Sequence, residues 1–236
     1  LPPSIKEIGE YAFYDCKELK NVTIPNKVTT IGKRAFGLCS NLNTITFLCD
    51  DMIDPSKINQ AQNNMSFDDG TQADDMFKNI TINVRKELYD QYANNEFYKK
   101  FKGGIKKSFF VNDEEYIAMS DKSVNMLKTK REDYTFVLPT EIEHEGKKYE
   151  VNLIGDYAFE GVNNKIKEVV VKKNVEYIGA KAFKTNITAD ASTIENVFFL
   201  SSNPTKQMLS TTRFELDETG KDYNEFASST KVYVKK

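Results

Sequence analysis

The sequence predicts a β-rich α/β solenoid, a stack of short units that each contribute one strand to a parallel sheet. A repeat of 23 or 24 residues is the first sign. Ile8-Gly9-x-x-Ala12-Phe13-x-x-Cys16-x-x-Leu19-x-x-Val22-x-Ile24 returns 23 residues later as Ile31-Gly32-x-x-Ala35-Phe36-x-x-Cys39-x-x-Leu42-x-x-Ile45-x-Phe47, with eight positions aligned and no gap. Ile154-Gly155-x-x-Ala158-Phe159 returns 24 residues later as Ile178-Gly179-x-x-Ala182-Phe183. The second sign is alternation. Val22-x-Ile24, Ile45-x-Phe47 and Val169-x-Val171 each turn two apolar side chains to one face of a strand and one residue to the other. Composition is the third: 236 residues with 39% hydrophobic and 29% charged make a folded, soluble chain with enough length for one large domain or two small ones.

Taken along the chain, Leu1-Pro2 corresponds to Ile24-Pro25 and to Leu138-Pro139. The chain is therefore expected to open within a unit, without its upstream part and with an exposed first sheet edge. Gly9, Gly32, Gly155 and Gly179 mark a tight backbone position before a buried Ala-Phe pair. Phe13 with Phe36, and Phe159 with Phe183, should stack into an aromatic spine, because one unit cannot bury its own face. Asp50 to Asp75 reads as a polar loop with one helical turn, and Ile80-Thr81-Ile82 as a further strand. Leu88, Tyr89, Tyr92, Phe97, Tyr98 and Phe101 give Lys86 to Phe101 the pattern of an amphipathic helix that closes the stack. Gly103-Gly104 is a break.

Phe109-Phe110-Val111, Tyr116 to Met119 and Val124 to Leu127 then alternate with turn residues as a β-meander. Phe136-Val137-Leu138 restarts the stack, Ile142 to Val151 is a hairpin about Glu145-Gly146, and Val232-Tyr233-Val234 is the last strand. Two modules follow: residues 1–104 with a helical C-terminal cap, and residues 105–236 with an N-terminal meander.

The repeat resembles the BspA-like leucine-rich repeats, also called the Treponema pallidum type, of bacterial surface proteins. The resemblance is close over residues 1–48 and about 136–200 and looser in the flanks. It implies a leucine-rich-repeat right-handed superhelix, an extracellular or cell-surface location by secretion or lipid anchoring, and adhesion to host proteins or other cells.

Composition argues against most chemistry. Lys+Arg is 33 against Asp+Glu 35, a formal net charge of -2, so recognition of nucleic acid by bulk charge is not expected. Only four cations are arginines, leaving few bidentate forks for phosphate. No apolar run is long enough to span a bilayer. The three cysteines, Cys16, Cys39 and Cys49, form no CxxC pair and hence no zinc site. Cys16 and Cys39 share a repeat position, which suits either a ladder of small buried hydrophobes or a disulfide. His144, the one histidine, has no Cys beside it and reads as a solvated cross-strand residue. No nucleophile elbow is present, and nothing marks a special pair among the carboxylates. Asp50, Asp51, Asp54, Asp68, Asp69, Asp74 and Asp75 have the oxygen chemistry for Ca²⁺ but not the DxDxDG spacing, and a solvated loop explains them equally well. The expectation is a protein that is no enzyme and has no cofactor and no metal.

The outward face of the sheet carries the informative pattern. The middle residue of each inward pair is Thr23, Thr46 and Thr81 in the first module, and Val137, Val170, Phe198 and Tyr233 in the second. One module should thus present a threonine ladder and the other an apolar stripe, and exposed apolar rows mark interfaces. Such a row can also pack on the meander, on the other module or on a second copy. The leading reading is non-catalytic recognition of an extracellular or host protein through the concave sheet, with Lys20, Lys167 and Glu168 as polar neighbours. A structural spacer and a glycan-binding module are the alternatives.

Overall fold

The computed structural model describes residues 1, 5–58, 67, 79–162, 165–172, 175–179, 181–185, 192–200 and, for the backbone, 231–234. These pack as two units, Leu1–Ser108 and Phe109–Lys236.

In the first unit, β1 (Glu7–Ile8) and β3 (Thr30–Ile31) pair in parallel, as do β2 (Asn21–Ile24), β4 (Thr44–Phe47), β5 (Thr81–Val84) and β6 (Ile105–Lys107) in a four-stranded sheet. Each unit of sequence therefore supplies a two-residue strand at its Ile-Gly and a four-residue strand at its Val-x-Ile. The register is in step, with Val22 opposite Ile45 and Ile24 opposite Phe47. Val22, Ile24, Ile45, Phe47, Ile82 and Val84 all lie in the core, because a period of two sends alternate side chains to one face. Backbone bonds tie successive turns together: Phe13 N donates to Ala35 O at 2.7 Å and Gly32 N to Ile8 O at 2.7 Å.

The glycine position is tight because neighbouring turns touch there. A Cβ on Gly32 would lie 2.6 Å from Glu10 N, and one on Gly179 would strike Asp156. The left-handed backbone itself sits two residues further on, at Tyr11 (φ 56°), Arg34 (49°), Tyr157 (57°) and Lys181 (51°). The repeat imposes this conformation on side chains that do not favour it.

The aromatic spine forms as the spacing requires. Phe36 stacks on Phe13 with centroids 5.2 Å apart and on Phe67 at 5.4 Å, and Phe159 stacks on Phe183 at 5.5 Å.

Two features of this unit depart from expectation. Lys86 to Phe101 is not one helix: 3₁₀ turns at Lys86–Leu88 and Tyr98–Lys100 flank a one-turn helix, α1 (Tyr89–Ala93). The helix stops at Asn94-Asn95, where the Asn95 side chain accepts the Phe97 N–H at 3.0 Å and so competes with the helical bond. The interruption lets Tyr92 and Tyr98 meet, ring centroids 4.5 Å apart, around Ile53. Tyr98 Oη donates to Ile53 O at 2.6 Å while Tyr92 Oη accepts from Ile53 N at 3.3 Å. Past Gly103-Gly104 the chain does not leave the unit but returns as β6, which pairs with β5.

The second unit opens with β7 (Phe109–Val111), β8 (Glu114–Ala118) and β9 (Ser123–Thr129), the expected antiparallel meander. β10 (Thr135–Val137) follows, and then the hairpin of β11 (Glu141–His144) and β12 (Lys147–Ile154). β12 also pairs in parallel with β9, setting Ile154 opposite Met126, and with the two-residue β14 (Tyr177–Ile178). The four-stranded parallel sheet of this unit runs β10, β13 (Glu168–Val171), β15 (Asn196–Phe199), β16 (Lys231–Val234). Phe136, Val169, Val171 and Val197 are fully buried beneath it.

Candidate recognition surface

The outward rows of the second sheet follow from its register. Val137 pairs with Val170, Val170 with Phe198 and Phe198 with Tyr233, so the four positions fall in one line across β10, β13, β15 and β16. At about 4.8 Å per strand the line is roughly 14 Å long. Val137 is 41% exposed, and Val170 and Phe198 are half-buried. A polar row runs beside it through Thr135, Glu168, Asn196 and Lys231. Within that row Thr135 Oγ1 donates to Glu168 Oε2 at 2.9 Å. Lys167 pairs with Glu195 at 3.4 Å at the strand entrances. Leu200, 41% exposed, stands just past β15, and Tyr134, 62% exposed, stands just before β10. The surface is therefore an apolar line bordered by paired, hydrogen-bonded polar groups.

The first sheet differs from the expected threonine ladder in two ways. Its row is Thr23, Thr46, Asn83, Lys106, because Thr46 pairs with Asn83 and Asn83 with Lys106. Thr81 falls opposite Thr44, two residues earlier. Ile80, Ile82 and Val84 are all buried and alternate without a break, so the sequence offers two inward pairs; the strand uses Ile82 with Val84. Thr46 is also 0% exposed and Asn83 only 3%, with Asn83 Nδ2 donating to Thr46 Oγ1 at 3.5 Å. Only Thr23 and Lys106 keep access to solvent.

Cys39 and Cys49 are buried, Cys16 is half-buried, and all three are free thiols. Cys39 Sγ donates to Phe13 O at 3.1 Å. Burial raises its pKa and pushes that of Cys49 up to about 12, so neither is poised as a nucleophile. His144 faces Lys147 across the hairpin but is not simply solvated: its ring stacks on Phe109 at 3.9 Å. Asp54 accepts the Ser56 N–H at 2.8 Å, which lowers its pKa, and Asp50 pairs with Arg85 at 3.2 Å. Asp68, Asp69, Asp74 and Asp75 lie outside the described residues. Among the described residues no group of His, Cys, Asp and Glu is placed to hold a metal.

One polar cluster carries no signal in the sequence. Glu114, with its side chain 3% exposed, lies 2.6 Å from Arg131 Nε, beside the buried Tyr116. Burial raises the Glu114 carboxyl above the usual range, with Arg131 acting in the opposite direction. The pair ties β8 to the segment just past β9. A surface cleft of about 340 Å³ lies among Lys128, Thr129, Lys130, Glu132, Glu160, Gly161 and Val162, where Glu132 is already paired with Lys165. No nucleophile and base converge there.

A family model described as BspA type leucine rich repeat region matches in six copies over residues 1–93 and 118–226. A crystal structure of a leucine rich cell surface protein from Faecalibacterium prausnitzii is similar at 19% identity and a TM-score of 0.36, over 42% of this chain and 24% of that one. A leucine-rich repeat protein from Bacteroides capillosus is similar at 16% identity and a TM-score of 0.37, over 55% of this chain and 99% of that one. The chain thus spans about a quarter of the length of the first and nearly all of the second. No curated protein matches. Among the described residues no helix is long and apolar enough to cross a membrane.

Proposed function

The chain belongs to the family of BspA-type leucine-rich repeat proteins, and from that premise we propose that it is a non-catalytic recognition protein of the cell surface. Its partner on this reading is a host or neighbouring-cell protein, held by the sheet of the second unit. Val137, Val170, Phe198 and Tyr233 are the anchors, with Glu168 and Lys167 as polar neighbours. One observation supports the reading: Val137, Val170, Phe198 and Tyr233 fall in one register row of four adjacent parallel strands, and Val137, Val170 and Phe198 keep access to solvent. A row built on hydrogen-bonded strands is preformed, so little conformational entropy is lost when a partner settles on it. The buried Val169, Val171 and Val197 hold the strands, while the outward positions are free to vary without disturbing the core. In the first unit Thr23 keeps access to solvent at the outer end of its row, Thr46 is buried, and half-buried Thr81 donates its hydroxyl to Gly103 O at 3.3 Å.

The test is a binding screen of the full chain against extracellular-matrix proteins and a glycan panel. A Phe198→Ser, Tyr233→Ser double variant runs alongside, with circular dichroism to confirm its fold. Binding to a matrix protein that falls about tenfold or more in the variant supports the reading, since truncating interface anchors costs more than ~1 kcal/mol each. Binding that survives the double substitution overturns the row as the site. Binding of glycans alone moves the function to carbohydrate capture, and no binding at all moves it to a spacer.

A further inference from the structure

We propose that Lys99, Lys100, Lys102, Lys106 and Lys107 of the first unit form a binding site for a sulfated polysaccharide, separate from the apolar row. In a chain of net charge -2, residues 97–112 contain these five lysines and no acid. Tyr-Lys-Lys-Phe-Lys-Gly at Tyr98 to Gly103 has the spacing of short basic segments that take polyanions.

All five lysines are exposed, with Lys106 and Lys107 on opposite faces of β6. Phe101, between Lys100 and Lys102, is buried and packs against Phe67, Phe97 and Tyr98, which leaves its two neighbours exposed. The chain then turns tightly: Gly104 N donates to Phe101 O at 3.0 Å and Gly103 N to Ile80 O at 3.1 Å. Only a glycine fits at 103, where a Cβ would meet the Ile80 carbonyl at 2.6 Å. The turn delivers Lys106 and Lys107 onto β6, in register with Asn83 and Val84. Lys107 lies over the Tyr89 ring at 5.5 Å and Lys99 pairs with Glu96 at 2.7 Å. Among the described residues no carboxylate pairs with Lys100, Lys102 or Lys106. Five cations along nine residues of anchored backbone make a concentrated positive field at one edge of the unit.

The chemistry around the lysines narrows the polyanion. Among the described residues the exposed large apolar ones are Leu1, Tyr11, Tyr14, Tyr134, Val137 and Leu200; in this segment Phe97, Ile105, Phe109 and Phe110 are half-buried. A single-stranded nucleic acid would want exposed rings on which to stack its bases, and a membrane surface would want an apolar side chain to insert. Neither is offered. What remains is a segment with five exposed ammonium groups, without the arginine forks that favour phosphate. That arrangement suits a flexible polymer dense in sulfate, whose affinity comes from charge and counterion release.

The experiment measures binding of the full chain to immobilised heparin, to desulfated heparin and to hyaluronate across a salt series. The variant is Lys100→Gln, Lys102→Gln, Lys106→Gln, Lys107→Gln. Its control removes four exposed lysines elsewhere: Lys20→Gln, Lys122→Gln, Lys128→Gln, Lys147→Gln. Heparin binding that needs sulfate, drops about tenfold or more in the variant, and loses roughly 2 to 3 from its slope of log K against log salt is the expected result. The control should keep most of its affinity. Absence of heparin binding at low salt overturns the proposal, as does an equal loss in variant and control. Equal or tighter binding of single-stranded DNA or phosphatidylserine vesicles overturns the assignment to a sulfated polysaccharide. Both variants change exposed side chains only, and circular dichroism checks that each keeps the wild-type spectrum.

Discussion

Replacing Phe36 by alanine should remove the centre of the first unit's spine. The ring is 1% exposed and lies nearly parallel to Phe13 on one side and Phe67 on the other, at interplanar angles of 4° and 5°. Deleting a fully buried phenylalanine costs about 3–5 kcal/mol, transfer and cavity together. Phe13 supplies the internal comparison. It occupies the same repeat position but is half-buried, so its removal opens a notch that water can fill rather than a sealed cavity. The transfer contribution alone is about 1–2 kcal/mol. The two substitutions should therefore differ by about 2 kcal/mol, roughly 8–16 °C in the melting temperature of a unit of about 100 residues. Urea unfolding of the full chain, followed by far-ultraviolet circular dichroism, measures the difference. The transition assigned to the first unit should move while that of the second, with its own Phe159 and Phe183, stays in place. Repeat arrays sum local terms, so the effect should remain local. If Phe36→Ala costs no more than Phe13→Ala, or less than about 1 kcal/mol, the spine is not what holds the turns together.

Gly32→Ala should cost about 1–3 kcal/mol, because its Cβ lands 2.6 Å from Glu10 N in the preceding turn. Gly9→Ala, with nothing within 4 Å, should stay within about 0.5 kcal/mol; equal denaturation midpoints would refute the close-approach argument. Burial raises the folded-state pKa of Glu114, so the native chain holds that proton to higher pH than the unfolded chain does. Its contribution is then full below the ordinary carboxylate range and is lost as pH rises through the raised folded value. Urea midpoints of Glu114→Gln should lack that decline, and profiles parallel to the wild type would count against it. Iodoacetamide should alkylate half-buried Cys16 first in the native chain and Cys49 last, since the reaction needs a thiolate and burial pushes Cys49 to about 12. Peptide mass spectrometry over time reads the order, and early labelling of Cys49 would contradict it.

What the sequence determined by itself was everything that recurs or alternates locally. The 23-residue period placed β2 and β4, and the same pattern placed β13 and β15. Val137, Val170 and Tyr233 could be aligned before any pairing was known, because each is the middle of an apolar triplet, whereas Val197-Phe198-Phe199-Leu200 allows two phases and pairing with β13 selects Phe198. Where the phase was not unique the sequence could not choose. Ile80-Thr81-Ile82-Asn83-Val84 satisfies period two at either end, and only pairing with β4 selects Asn83 over Thr81 as the row residue. The apolar spacing from Lys86 to Phe101 likewise suits a helix, but two asparagines and the demand of Ile53 for both tyrosine hydroxyls break it. Burial of Thr46, the Glu114–Arg131 pair and the joining of β6 to its sheet are contacts between residues far apart in the chain or between neighbouring strands. They depend on which backbone lies beside which, and that is a property of the packed structure rather than of any local stretch of sequence.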